Sequence, residues 1–161
     1  MQHLPPALVP LASYAQFLLW KAVPRDGKIT KLPINPHTFT LYDKGSNWQS
    51  DASSMTDAQT AINHAELAGP EYGVGFLFTE RDPFYFVDLD GCLGADGVTW
   101  SPVAVDIMSR LNGAAVEVSQ SGTGLHIFGT GAVPEHGCRN AAHGLEFYTE
   151  GRFVALTGNN T

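Results

Sequence analysis

The chain has 161 residues, 43% hydrophobic and 16% charged, which suits one folded domain with its own core and excludes a disordered chain. A net charge of −7 argues against a generally basic nucleic-acid-binding surface, and no apolar run reaches the length of a membrane span, so no membrane partner is expected. The opening MQHLPPALVPLAS lacks the basic and long apolar segments of a signal peptide, which predicts a cytoplasmic protein.

In chain order, AQFLLWKAV reads as a strand stopped by Pro24, and PRDGKITKLPINPHT follows with Asp-Gly as a tight-turn signal. This stretch holds Lys21, Arg25, Lys28 and Lys31, four of the nine basic residues, and no lysine follows Lys44. Alone, such a cluster is a solvated hairpin. Thr56 and Gln59 have capping-box spacing and open a predicted helix, DAQTAINHAELA, ended by Gly69-Pro70. GVGFLF and FYFVDLD then read as two strands of a hairpin joined by TERDP. SPVAVDIMSRL reads as a helix with a Ser-Pro start. AAVEVSQ, GLHIFG, GLEFYT and RFVALTG are strands, the last two forming a further hairpin. The fold class is α+β with a mostly antiparallel sheet.

Side chains alternate across a strand, so parity sorts the candidate residues. Asp88 and Asp90 share one face of FVDLD, roughly 7 Å apart, suited to gripping one cation or a close pair. Asp90-Gly91 could equally close a turn, but that leaves Asp88 without a reason. In GLHIFG, His126 lies opposite Leu125 and Ile127; in GLEFYT, Glu146 lies opposite Leu145 and Phe147. The glycine-rich SQSGTG before His126 offers backbone N–H groups to a phosphate, and Arg152 starts the last strand. Each is unremarkable alone: a lone strand histidine is usually structural. Their shared parity puts three carboxylates and an imidazole on one face, a set suited to divalent metal ions, with Arg152 available for a phosphate. Cys92 and Cys138 make no disulfide framework, and their spacing with His136 and His143 matches no standard zinc pattern, so structural zinc is not expected.

VDLDGCL is close to the D-x-D-G-T signature of haloacid dehalogenase-like phosphohydrolases, in which the first aspartate is the nucleophile. Those enzymes need a downstream lysine or arginine, a later acidic pair and a parallel α/β sheet. Here no lysine and no G-D-x-x-x-D follow Asp90, and Cys92 stands in place of threonine.

The ordered set GKITKLPINP, GVGFLF, VDLDGC, SQSGTGLHIF and LEFYTEGRFVALTG, over roughly residues 17 to 158, resembles another family: the bifunctional primase–polymerase domain of the archaeo-eukaryotic primase superfamily, in its phage, prophage and plasmid forms. Its D-x-D motif is matched by Asp88 and Asp90, its S-G-x-G-x-H motif by Ser121 to His126, and its last motif by Glu146, Tyr148, Arg152, Phe153, Thr157 and Gly158.

The resemblance implies one catalytic domain over 1–161, with an N-terminal α/β unit over about 1–70. A core related to the RNA-recognition fold would span about 71–158, with helices on one face. It implies that Asp88, Asp90 and Glu146 hold Mg²⁺ or Mn²⁺ as catalytic residues. Ser121, Gly122, Gly124, His126, Arg152 and Lys31 would bind a nucleoside triphosphate, with Lys28 a further phosphate contact. The implied reaction is DNA priming or polymerisation on a single-stranded DNA template or primer. It further implies a piece of a longer replication protein, with a helicase to its C-terminal side. The non-catalytic alternative is a nucleotide- or nucleic-acid-binding module of the same fold.

Overall fold

Asp26 (φ 49°) and Gly27 (φ 75°) both take left-handed backbone, which makes the Asp-Gly pair a two-residue hairpin turn matched to strand twist. It joins β1 (Phe17–Arg25) to β2 (Lys28–Ile34) in the computed structural model, which describes residues 1–159. The strand does not stop at Pro24. Arg25 and Lys28 close the turn, so Pro24 and Ile29 form the next, non-hydrogen-bonded pair, where no N–H is needed. On its other side β1 makes its last bond at Ala22, whose amide donates to Glu71 O at 2.8 Å, so Pro24 lies past its neighbour there too. A 3-10 helix, Pro6–Ser13, precedes the hairpin and buries Leu8 and Leu11.

Helix α1 (Ala58–Ala68) is capped one residue later than the capping-box spacing suggests. The Asp57 carboxylate accepts from Thr60 N at 2.9 Å, while Thr56 exchanges two backbone hydrogen bonds with Phe17. Helix α2 (Pro102–Arg110) starts on Ser101, whose side chain accepts from Ala104 N.

Among the described residues nine strands form two sheets, and every pairing between them is antiparallel. The first sheet has the order β2-β1-β3-β9, with β3 at Tyr72–Phe78 and β9 at Arg152–Ala155. The second has the order β5-β6-β4-β8-β7, with β4 at Phe84–Leu89, β5 at Ala115–Val118, β6 at Leu125–Thr130, β7 at Arg139–Asn140 and β8 at Leu145–Tyr148. Strands β4, β5, β6 and β8, with α2 after the first, have the spatial order of an RNA-recognition sheet, with β7 and a short 3-10 turn in place of its second helix. A parallel sheet, which the phosphohydrolase reading requires, is not among the described pairings.

The hairpins expected of GVGFLF with FYFVDLD and of GLEFYT with RFVALTG are absent. Strand β3 is hemmed in by β1 and β9, so it offers β4 no free edge. The connecting pentapeptide is tied down instead: the Asp82 carboxylate accepts from Thr79 N (2.7 Å), Phe84 N (3.0 Å) and Gln16 Nε2 (2.7 Å). Strands β8 and β9 likewise part, β8 to β4 and β9 to β3. The segments 79–83 and 149–151 are therefore crossings between sheets.

The second sheet is covered on both faces. Val87, Leu89, Leu125 and Ile127 pack against α2 through Ala104, Ile107 and Met108. On the other face Phe84, Phe86 and Phe128 join Phe17, Phe76 and Phe78 of the first sheet in the main core, with Phe78 and Phe86 stacked at 5.3 Å. The polar candidates share this second face, beyond the layer of phenylalanines.

Candidate active site

Antiparallel register sets five side chains abreast across the second sheet. Glu117 pairs with His126, His126 with Asp88, Asp88 with Glu146, and Glu146 with Arg139. Directly opposed residues on neighbouring strands lie on one face, so the row is continuous. The parity expected for Asp88, His126 and Glu146 holds. Glu117 and Arg139 join them without having been singled out, although Glu117 stands between two valines in VEV and shares the alternation that marked the others.

The row is bonded along its length. His126, 4% exposed, has Nδ1 at 2.9 Å from Glu117 Oε1 and Nε2 at 3.8 Å from Asp88 Oδ1, with the Phe86 ring edge-on at 5.2 Å. From the first sheet Arg152 reaches over the row. One guanidinium nitrogen, Nη2, lies 3.0 Å from Glu146 Oε2 and 3.6 Å from Asp88 Oδ2. Its Nε is buried and without a partner among the described residues. Glu146 is held further by Arg139 Nε at 3.1 Å and by the Tyr148 hydroxyl, which donates at 2.9 Å. Burial pushes the Asp88 carboxyl above its ordinary value; His126 and Arg152 pull it back, while Asp90 and Glu146 add to the rise.

Lys31, Phe86, Asp88, His126 and Arg152 line one cavity of about 180 Å³. The other sequence candidates lie outside its lining. Asp90 is exposed, one residue past β4, with its amide donated to Gly144 O at 3.0 Å. Ser121, Gly122 and Gly124 form the turn between β5 and β6. The amides of Gly122 and Gly124 are turned inward onto the carbonyl and hydroxyl of Ser119. Leu93 N donates to Thr123 O, which ties this turn to the segment after Asp90. Cys92 is buried and Cys138 exposed. Among the described residues no three His, Cys, Asp or Glu side chains are gathered as a metal-binding cluster, and no helix is long and apolar enough to cross a membrane. A larger hollow, about 420 Å³ beside the stacked rings of Tyr42 and Trp48, contains none of the row.

No family model matches the chain. It is 31% identical over 160 residues to a DNA primase-polymerase of Nitratiruptor phage NrS-1, an alignment that takes in 95% of this chain. The chain spans only 20% of the length of that phage protein. A likeness running through almost the whole chain, on an α+β fold compatible with that family, supports assigning this protein to the primase–polymerases.

Proposed function

We propose that the row of Asp88, His126 and Glu146, overlooked by Arg152 and Lys31, is the centre of a metal-dependent, template-directed nucleotidyltransferase. The observation that carries this reading is the register: Asp88 and His126 meet one cavity with the basic side chains of Lys31 and Arg152, and Glu146 stands directly opposite Asp88 on the next strand. The phage relative's name, DNA primase-polymerase, supports the same chemistry.

The donor set suits a hard divalent cation. Asp88 and Glu146 are directly opposed carboxylates, Asp90 adds negative charge, and the repulsion among them favours a cation nearby. At present that cation is the Arg152 guanidinium, so Mg²⁺ or Mn²⁺ fits where Arg152 gives way. Asp88 and Glu146 would hold it, with Asp90 as a further ligand. Bound there, it supplies Lewis-acid stabilisation of charge on phosphate oxygens.

The chain's own groups do the rest. Lys31, Arg152 and His126 surround the cavity with donors for a nucleoside triphosphate, neutralising the phosphates as a 3′-hydroxyl attacks the α-phosphate and pyrophosphate leaves. The backbone turn at Ser121, Gly122 and Gly124 would meet the same phosphates after turning its amides outward. A single-stranded DNA template or primer completes the substrate set. A helicase elsewhere in the longer protein would be the partner in replication.

A second reading, a binding module without turnover, is favoured by Arg152 already standing between Asp88 and Glu146. One assay separates the two. The protein is incubated with primed and unprimed single-stranded template, labelled nucleotides and Mn²⁺, beside an Asp88→Ala, Asp90→Ala variant. Template-dependent product from the wild type alone supports the transferase. Nucleotide binding without product supports the module. Phosphate release through an aspartyl intermediate sinks both.

A further inference from the structure

Glu117 is a fully buried carboxylate that the proposed reaction does not use. Burying an ion is costly unless its oxygens are fully paired, and here they are. The carboxylate accepts from Thr157 N at 3.2 and 3.0 Å and from Gly158 N at 2.9 Å, and faces His126 Nδ1 at 2.9 Å. A carboxylate only accepts, so the proton in its contact with the imidazole sits on Nδ1. Nε2 is then the nitrogen left for the cavity. The ring is further wedged by Phe86 and Phe128, edge-on at 5.2 and 6.2 Å.

We propose that Glu117 is a positioning residue for nucleotide binding: it accepts the Nδ1–H of His126 and so lets the same ring donate an Nε2–H to the phosphates of a nucleoside triphosphate. This rests on the reading of the cavity as the nucleotide site. Two backbone amides on the same carboxylate lock Glu117 itself, and through it the imidazole, to the segment that leaves β9. Thr157 Oγ1 fastens that segment again by donating to Val118 O at 2.7 Å. The ring's orientation is thereby set by three strands of backbone and not by its own torsions alone.

Glu117→Gln separates positioning from simple stapling. Its amide oxygen still accepts from Thr157 and Gly158, but its NH₂ faces His126 Nδ1, which must then accept, so the ring keeps a proton on Nε2 alone and meets the phosphates without a positive charge. Two measurements follow. Nitrogen-15 spectra of the imidazoles, in chelator-treated protein, are expected to show Nδ1 of His126 protonated in the wild type and unprotonated in E117Q. Binding of ATP and dATP with Mg²⁺ is expected to weaken about tenfold in E117Q, the size of one charge-assisted contact. It should weaken no further when E117Q is added to H126A.

Equal loss from E117Q in both backgrounds overturns the proposal and leaves Glu117 a staple. An imidazole signature unchanged by E117Q overturns it whatever the binding data. If H126A alone leaves nucleotide affinity intact, the nucleotide reading of the cavity falls, and the role of Glu117 with it. An Nδ1 proton that is still lost in E117Q then shows that the failure lies in the site and not in the contact.

Discussion

Asp88 and Glu146 are register partners on adjacent strands, and one guanidinium nitrogen of Arg152 lies 3.6 Å from the first and 3.0 Å from the second. A divalent cation and this guanidinium would compete for the same oxygens. Arg152→Ala should therefore raise Mn²⁺ affinity in the absence of nucleotide. The gain should be about fivefold, corresponding to about 1 kcal/mol for a pair partly open to water. Calorimetry or the electron-spin signal of free Mn²⁺ measures it, and unchanged or weaker binding would remove Arg152 from competition with the metal. Nucleotide affinity should fall in the same variant.

The raised carboxyl of Asp88 gives a pH-dependent stability of definite sign. Between its ordinary value of 3.8 and its higher folded value, the folded chain keeps a proton that the unfolded chain has released. The stability this contributes is present below that window and lost as pH rises through the folded value. Asn copies the neutral form. Asp88→Asn should thus unfold at a higher temperature than wild type at about pH 8, and the gap should close towards about pH 4. Thermal unfolding in chelator-treated buffer reads both, and a variant less stable than wild type at about pH 8 contradicts the assignment.

Asp82 anchors the first crossing between the sheets by accepting from two backbone amides and from Gln16. Asp82→Ala strands these donors in a part-buried place and should cost about 2 kcal/mol in denaturant unfolding. Asp82→Asn, which keeps an acceptor oxygen, should cost less. Equal costs would show that the charge and not the acceptor geometry holds the crossing.

In the turn before His126 two glycines make opposite demands. At Gly124 a Cβ would stand 2.8 Å from Ser119 Oγ and 3.0 Å from Leu89 O, the second a backbone atom that cannot swing away. At Gly122 there is open space and only a φ of +77° to satisfy. Gly124→Ala should cost about 2 kcal/mol by overpacking, against about 1 kcal/mol for Gly122→Ala from backbone strain. Chemical denaturation of the two variants compares them, and a larger loss at Gly122 would reverse the assignment.

Much of the candidate site's layout was legible because strand parity is a local property. Asp88, His126 and Glu146 each alternate with large apolar neighbours, so their common face followed once the strands were recognised. Which strands would pair was not local. TERDP carries turn residues that suit a hairpin, yet the edges of β3 were already taken by β1 and by β9, more than seventy residues later in the sequence. Glu117 escaped notice for a related reason. A glutamate between valines reads as a solvent-facing strand residue, and only the arrival of Thr157 and Gly158 makes it a buried acceptor. The cap of α1 was missed by one position because Thr56 had a competing use, a bridge to Phe17.

The crossings at 79–83 and 149–151 leave from the same end of the paired sheets, and Gly151 N donates back to Phe78 O at 2.9 Å. Arg152 is the first residue of β9 after one crossing, while its carboxylate partners belong to the other sheet. The spacing between cation and anions is consequently a measure of how the sheets seat on each other across their phenylalanine layer. A shift of a fraction of an ångström at Phe78 or Phe86 would be read out directly as a gap in the charged row, making the apolar seam and the charged row a single mechanical unit.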